Sequence, residues 1–345
     1  MEKETGPREE GRDLPVIGIT PGDFNGIGPE IILKTLSDNR ITRLCRVIVY
    51  GSGSMMNKYR KLLNLEDVNF NTVTETNRLN PKRPNLINCW TEDYALTIGK
   101  STAEAGLCAF MALDHAARDL KDGVIDALVT APINKANMPP ALFPFPGHTE
   151  FLESRFGTEE SLMFLVDEGL RIGVATGHIP LHDVAKALTR DRLNLKLDLM
   201  YNSLRKDFGI QQPKIALLGL NPHAGEEGKI GNEEMNMMEP LIRTLKDKGR
   251  MIFGPYPADG FFGARMQTRF DGILAAYHDQ GLIAFKALSF ESGVNFTAGL
   301  PIVRTSPDHG TAYNIAGKNL ANPDSFRAAL FLALEVLKAR KQGIS

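Results

Sequence analysis

Cysteine is scarce in this chain: three in 345 residues, at Cys45, Cys89 and Cys108, with no Cys-x-x-Cys spacing. An odd count so spread excludes a disulfide framework and a cysteine zinc site, and reads as reduced packing thiols of a cytoplasmic protein. Charge of one sign is lacking as well. Lys and Arg total 40 against 41 for Asp and Glu, a formal net charge of -1, so no broad field draws the chain to nucleic acid or to a membrane surface. No apolar run approaches the roughly 20 residues that span a bilayer. The first fourteen residues are charged and carry no apolar segment of a secretory signal, so 1–14 reads as a disordered tail. His-Glu-x-x-His is absent, and Gly51-Ser52-Gly53 has Met56 where a dinucleotide fingerprint needs its third glycine. It reads as a plain turn.

What is present is an ordinary globular balance, 43% hydrophobic and 23% charged, with length enough for two lobes. Short apolar runs such as 16–20, 46–50, 125–130, 172–176 and 214–218 alternate with helical stripes, of which 101–121 is the clearest. Strand, crossover helix and strand in that order specify an α/β fold of mostly parallel sheets with flanking helices. Four prolines between Met138 and Pro146 mark a boundary. The expected lobes are 15–140 with 305–345, and 141–304, with the active site in the cleft between them. His115 falls off the apolar stripe of its helix and reads as solvated. The turn from Gly22 to Gly28, ahead of a helix with Pro29 in its first turn, suits an anion or a bare strand-to-helix turn equally well.

Three histidines follow apolar strands or their turns: His178, His223 and His278. Strand ends are where open α/β sheets bind ligands, and three neutral imidazoles suit zinc, cobalt or a similar divalent ion. Any one of them alone is more simply a structural histidine. A second constellation, His148, Thr149, Lys286, Asn295 and Arg304, suits an anion; Thr149 also reads as a helix N-cap. Arg304 and Lys286 lie in apolar runs, where a buried cation needs an anionic partner from ligand or protein. From 277 to 323 these polar groups are expected at strand ends and turns, not on helix faces.

Several stretches together resemble the 4-hydroxythreonine-4-phosphate dehydrogenase family: Gly26-Ile27-Gly28-Pro29-Glu30, Thr130-Ala131-Pro132-Ile133-Asn134-Lys135, Gly147-His148-Thr149-Glu150, Asn221-Pro222-His223-Ala224-Gly225-Glu226, Tyr277-His278-Asp279-Gln280-Gly281 and Asp308-His309-Gly310-Thr311-Ala312. The segment from His309 to Pro323 is also similar to the adenine-binding loop of isocitrate and isopropylmalate dehydrogenases. The resemblance implies a two-lobed, isocitrate/isopropylmalate dehydrogenase-like fold and a homodimer with shared active sites. It implies that His178, His223 and His278 hold one divalent metal (zinc, cobalt or magnesium) with ligands drawn from both subunits. It implies that His148, Thr149, Lys286, Asn295 and Arg304 hold a phosphorylated hydroxy-amino-acid substrate, and that NAD lies on His309, Gly310, Thr311, Ala312 and Asn322, with the 22–28 loop as a neighbour. Asp279, beside a ligand, is the candidate general base or a group that orients that histidine. Asn314 stands where related dehydrogenases carry an acid towards the adenosine ribose, which leaves NADP open as the alternative cofactor. The implied reaction is oxidation to a β-keto acid that decarboxylates to 3-amino-2-oxopropyl phosphate in pyridoxal phosphate biosynthesis. Rival readings are a relative acting on a phosphorylated threonate or erythronate, a metal-dependent phosphohydrolase, and a silent binding protein.

Overall fold

A computed structural model describes residues 14–74, 78–289 and 292–343. The expected tail over 1–14 lies outside the described residues save for Leu14. Among the described residues twelve strands form one sheet. In chain order they are β1 (Val16–Thr20), β2 (Arg46–Gly51), β3 (Asn71–Thr72), β4 (Asn85–Asn88), β5 (Ala127–Thr130) and β6 (Leu162–Asp167). The rest are β7 (Leu170–Thr176), β8 (Lys214–Leu218), β9 (Met251–Tyr256), β10 (Gly272–Tyr277), β11 (Val294–Ala298) and β12 (Val303–Pro307). Across the sheet the order is β3-β4-β2-β1-β5-β12-β11-β6-β7-β10-β8-β9.

The mostly parallel α/β sheet expected from the sequence is present. Parallel pairing runs from β3 to β12 and again from β7 to β9. Between these halves β11 pairs antiparallel with both β12 and β6, and β6 antiparallel with β7. Three reversals in succession set the two parallel halves running in opposite senses. The division expected at 304/305 falls within β12, which bonds to β5 on one side and β11 on the other.

The side-chain period of two along a strand decides what these central strands present. On β12, Arg304 and Ser306 face a cleft, while Thr305 turns to the other side and donates to Ala329 O at 2.7 Å. On β11, Asn295 faces the cleft and Phe296 packs behind it against Phe164 of β6 and Phe208. On β6, Met163 and Leu165 flank Phe164 and line the cleft. Each buried phenylalanine contributes about 2 kcal/mol of apolar burial. A one-residue slip of β11 would put Asn295 in that core and Phe296 in the cleft.

Helices cover both faces. Ala103–Lys121 begins at Thr102, whose side chain accepts from Ala105 N, and Arg190–Lys206 begins at Thr189, which accepts from Arg192 N. Such a cap contributes about 1 kcal/mol. Asp324–Gln342 buries Phe326, Leu330 and Val336 behind β12. His115 is half-buried rather than solvated, its ring against Tyr50 at 5.4 Å. Among the described residues no helix is long and apolar enough to cross a membrane.

Candidate active site

Over the central strands lies a cleft of about 370 Å³, lined by residues on both sides of the sheet reversal. Its floor is cationic. Arg304 is 3% exposed, and its guanidinium donates to Thr130 Oγ1 from Nε at 3.2 Å and Nη2 at 2.8 Å, and to Thr297 Oγ1 from Nη1 at 3.3 Å. Both partners are neutral hydroxyls, and no carboxylate of the described residues pairs with it directly. Burial lowers its pKa to about 10, with Glu150 pulling back, so it stays charged at neutral pH. Asn295 Oδ1 is also buried without a hydrogen-bond partner among the described residues. A buried charge and a buried amide left open towards one cleft are the signature of a site completed by a ligand.

Around this floor stand His148, Thr149, Lys286 and Lys135. Burial, with Arg304 and Lys135 beside it, pushes His148 well below the ordinary 6.5, so it is neutral at pH 7. Lys286 Nζ lies 3.7 Å from Asp308 Oδ2. Burial raises the Asp308 carboxyl, and Lys286 opposes that rise. Thr149 is not an N-cap: the helix is His148–Phe156, with Gly147 at the cap position. Its hydroxyl is thereby left for the cleft.

At the other end of the cleft, His178 follows β7 and His278 follows β10, their ring centres 5.4 Å apart. His178 has a lowered pKa, from burial first and then from Lys135 and His278. His278 Nδ1 pairs with Asp279 Oδ1 at 2.7 Å, which leaves its other ring nitrogen for a ligand. Asp279 itself is 71% exposed and does not line the cleft, a placement that favours orienting His278 over general base. His223 is exposed on a separate loop and lines a different depression with Glu226, Glu227 and Lys229. Among the described residues no three His, Cys, Asp or Glu side chains gather as a metal site. Two of the three sequence-predicted ligands come together and the third stands apart.

The expectation that these groups avoid helix faces is corrected. His278 and Lys286 both lie on the helix His278–Leu288, and with Leu282 they form an i, i+4, i+8 row along the cleft. The helix presses closely on the sheet because Gly281 has no side chain; a Cβ there would lie 3.0 Å from Val174 Cγ1.

Of the predicted cofactor residues, His309 and Gly310 line the cleft. His309 Nε2 is buried without a hydrogen-bond partner among the described residues. Thr311 O accepts from Ile27 N at 3.0 Å, and Ala312 has a positive φ of 43°. Asn322 is exposed, its Oδ1 accepting from Asp324 N. The segment is pinned to the helix Gly28–Leu36 by Lys34, which donates to Asn319 O and Ala321 O, and by Glu30, which accepts from Ala321 N.

The 22–28 turn is a packed junction. Asp23 N donates to Pro132 O, Asn25 N to Asp23 Oδ1, Gly26 N to Asp23 O and Ile27 N to Thr311 O, so these donors are spent inside the protein. Asp23, 0% exposed, also accepts from Tyr313 Oη and Asn137 Nδ2. Sequence reasoning gave no role to Thr130, Lys135, Glu150, Ser306 and Asp308, all of which line the cleft. Their positions at the end of β5, the start of a helix and the end of β12 were the available signal.

Residues 43–333 match the family model described as pyridoxal phosphate biosynthetic protein PdxA. A protein of Bacteroides thetaiotaomicron named 4-hydroxythreonine-4-phosphate dehydrogenase is 46% identical over 327 residues, 94% of this chain and 90% of that one. The crystal structure of a 4-hydroxythreonine-4-phosphate dehydrogenase from Klebsiella pneumoniae has a TM-score of 0.82 at 34% identity, covering 94% of this chain and 98% of that one. A terephthalate 1,2-cis-dihydrodiol dehydrogenase from Burkholderia xenovorans has a TM-score of 0.62 at 25% identity, covering 93% and 98%. The chain belongs to the PdxA family of pyridoxal phosphate biosynthetic proteins.

Proposed function

We propose that the chain is a metal-dependent 4-phosphohydroxy-L-threonine dehydrogenase of pyridoxal 5'-phosphate biosynthesis that uses NAD. The observation that carries this reading is Arg304, a buried cation facing a cleft with only hydroxyl partners. A phosphate matches it in charge and in bidentate geometry. His148, Thr149, Lys286 and Asn295 close around the same group, and the relatives' names supply a phosphorylated hydroxy-amino acid.

His178 and His278 suit a divalent ion, zinc, cobalt or magnesium, and Asp279 fixes the proton on His278 Nδ1 so that the opposite nitrogen is presented. His223 completes the set from a second copy of the chain. Exposed Ile179, Leu181, Ile230 and Ile283 flank the three histidines in sequence and suit such a homodimer. NAD lies along His309, Gly310, Thr311, Ala312 and Asn322. When bound, the nicotinamide accepts the hydride and the ion acts as a Lewis acid. The substrate alcohol loses a hydride and a proton to give a ketone β to the carboxylate, and C–C cleavage then releases CO₂ and 3-amino-2-oxopropyl phosphate. Free thiols at Cys45, Cys89 and Cys108 suit the cytoplasm.

NADH formation by metal-replete protein with 4-phosphohydroxy-L-threonine tests the reading. The expected activity is lost to a chelator and restored by a divalent ion. The dihydrodiol dehydrogenase neighbour carries a related sequence with another substrate in its name. Turnover of a phosphorylated threonate or erythronate instead would keep the site and reassign the substrate; phosphate release without NADH would make the protein a phosphohydrolase.

A further inference from the structure

His223 sits in a turn that L-residues disfavour. From His223 to Glu227 five successive residues are left-handed, with φ of 52°, 50°, 81°, 43° and 55°, and only Gly225 among them is glycine. Such a run persists where the surroundings over-determine it. Backbone bonds from Ala224 N to Asn221 O and from Ile230 N to Gly225 O hold it, and a buried carboxylate lies inside it. Glu234 is 2% exposed and has no ion-pair partner among the described residues. Its Oε1 accepts from Asn221 N at 2.7 Å and its Oε2 from Asn221 Nδ2 at 2.9 Å, the same Nδ2 also donating to Glu233 Oε2 at 2.8 Å. The turn wraps that carboxylate closely: a Cβ on Gly225 would lie 2.8 Å from Glu234 Oε2. A second tie comes from Gln280, two residues beyond His278. Its Nε2 donates to Gly219 O at 2.7 Å, just before the turn, and its Oε1 accepts from Ala276 N at 2.7 Å.

We infer that Glu234 is a positioning residue for the metal site: by holding the backbone N–H of Asn221, and its side-chain amide together with Glu233, it keeps the left-handed turn that presents His223 outward as a ligand. The role rests on the metal reading above. It requires two acceptors, because both oxygens meet donors of the same asparagine. Glu234→Gln keeps the volume but turns an N–H towards one of those donors. The turn then relaxes towards ordinary φ values and His223 moves off its mark.

Equilibrium titration with Co²⁺, followed by its visible absorption, tests this on full-length wild type, Glu234→Gln and His223→Ala. Sulfate binding at the Arg304 end and the oligomer mass serve as controls. Glu234→Gln is expected to weaken Co²⁺ binding about 10- to 100-fold and to alter the absorption band, with sulfate affinity and mass unchanged. Should Glu234→Gln fail to fold, Asn221→Ala, which removes the side-chain amide and leaves the backbone donor, is expected to weaken Co²⁺ binding in the same direction. Wild-type Co²⁺ affinity and spectrum in either folded variant, alongside loss in His223→Ala, overturns the positioning role and leaves the metal reading standing. A wild-type protein that binds sulfate but no Co²⁺ overturns the metal reading and this role with it.

Discussion

The two ends of the cleft are built on different kinds of support. Arg304 and Asn295 project from within neighbouring strands, where the register of β12, β11 and β6 sets their spacing. His178 and His278 stand just past the ends of β7 and β10, and His223 lies in a loop after β8. A ladder fixes adjacent side chains to within about an ångström of a standard spacing, whereas a strand end leaves the next residue to its turn. On our reading the anion end is whole within one chain, and the metal end is made whole only by a second one.

The strongest break of that comparison removes a histidine from the metal end. His178→Ala should lower NADH formation about a thousandfold, the loss of roughly 4 kcal/mol of charge stabilisation, while sulfate still binds at Arg304. Mixing that variant with His223→Ala separates one chain from two. In a shared site half of the randomly mixed dimers carry one intact centre of two, so about a quarter of wild-type activity should return. No return on subunit exchange would assign all three histidines to one chain.

At the anion end the expected loss is smaller. Arg304→Lys keeps the charge but not the planar fork that meets Thr130, Thr297 and the ligand together. A rise in KM of about thirtyfold, worth about 2 kcal/mol, is expected, with Co²⁺ affinity unchanged. A fall in kcat at constant KM would instead place Arg304 at the reacting atoms and erase the division between the two ends.

Much of this was legible in the chain. Apolar runs punctuated by glycine and proline mark the strands, because burial and turn geometry are written locally. The family resemblance named groups that line the cleft, from His148 and Arg304 to His178 and His278. Less legible was the support beneath them. Lys286 reads as a strand-end cation, since Leu282-Ile283-Ala284-Phe285 is apolar enough for a strand; only its i+8 spacing from His278 reveals the helix face. The 22–28 turn has the composition of an anion loop, yet its N–H groups are taken by Asp23 within the turn and by Pro132 and Thr311, both more than a hundred positions away. Glu234 has no distinguishing mark in the sequence, and its burial follows from the fold of the turn beside it. Contacts of that range are set by tertiary packing, which local pattern does not encode.

The smallest expected effect probes the anion end through a proton. Burial beside Arg304 and Lys135 holds His148 well below 6.5, so the folded state disfavours its protonated form. Stability from this group is therefore full above the ordinary imidazole value and is lost as pH falls from there towards the depressed one. An anion bound against His148 supplies the missing opposite charge and raises that pKa, so binding takes up a proton and tightens on acidification. Sulfate keeps a fixed charge between pH 8 and 6, which removes the ligand's own titration from the measurement. Its affinity for wild type should rise by up to about tenfold in all across that range, as for one proton taken up over about one pH unit, and the rise should vanish in His148→Gln. An equal pH dependence in both proteins would show that His148 stands clear of the anion, and would leave Arg304 and Lys286 to hold it.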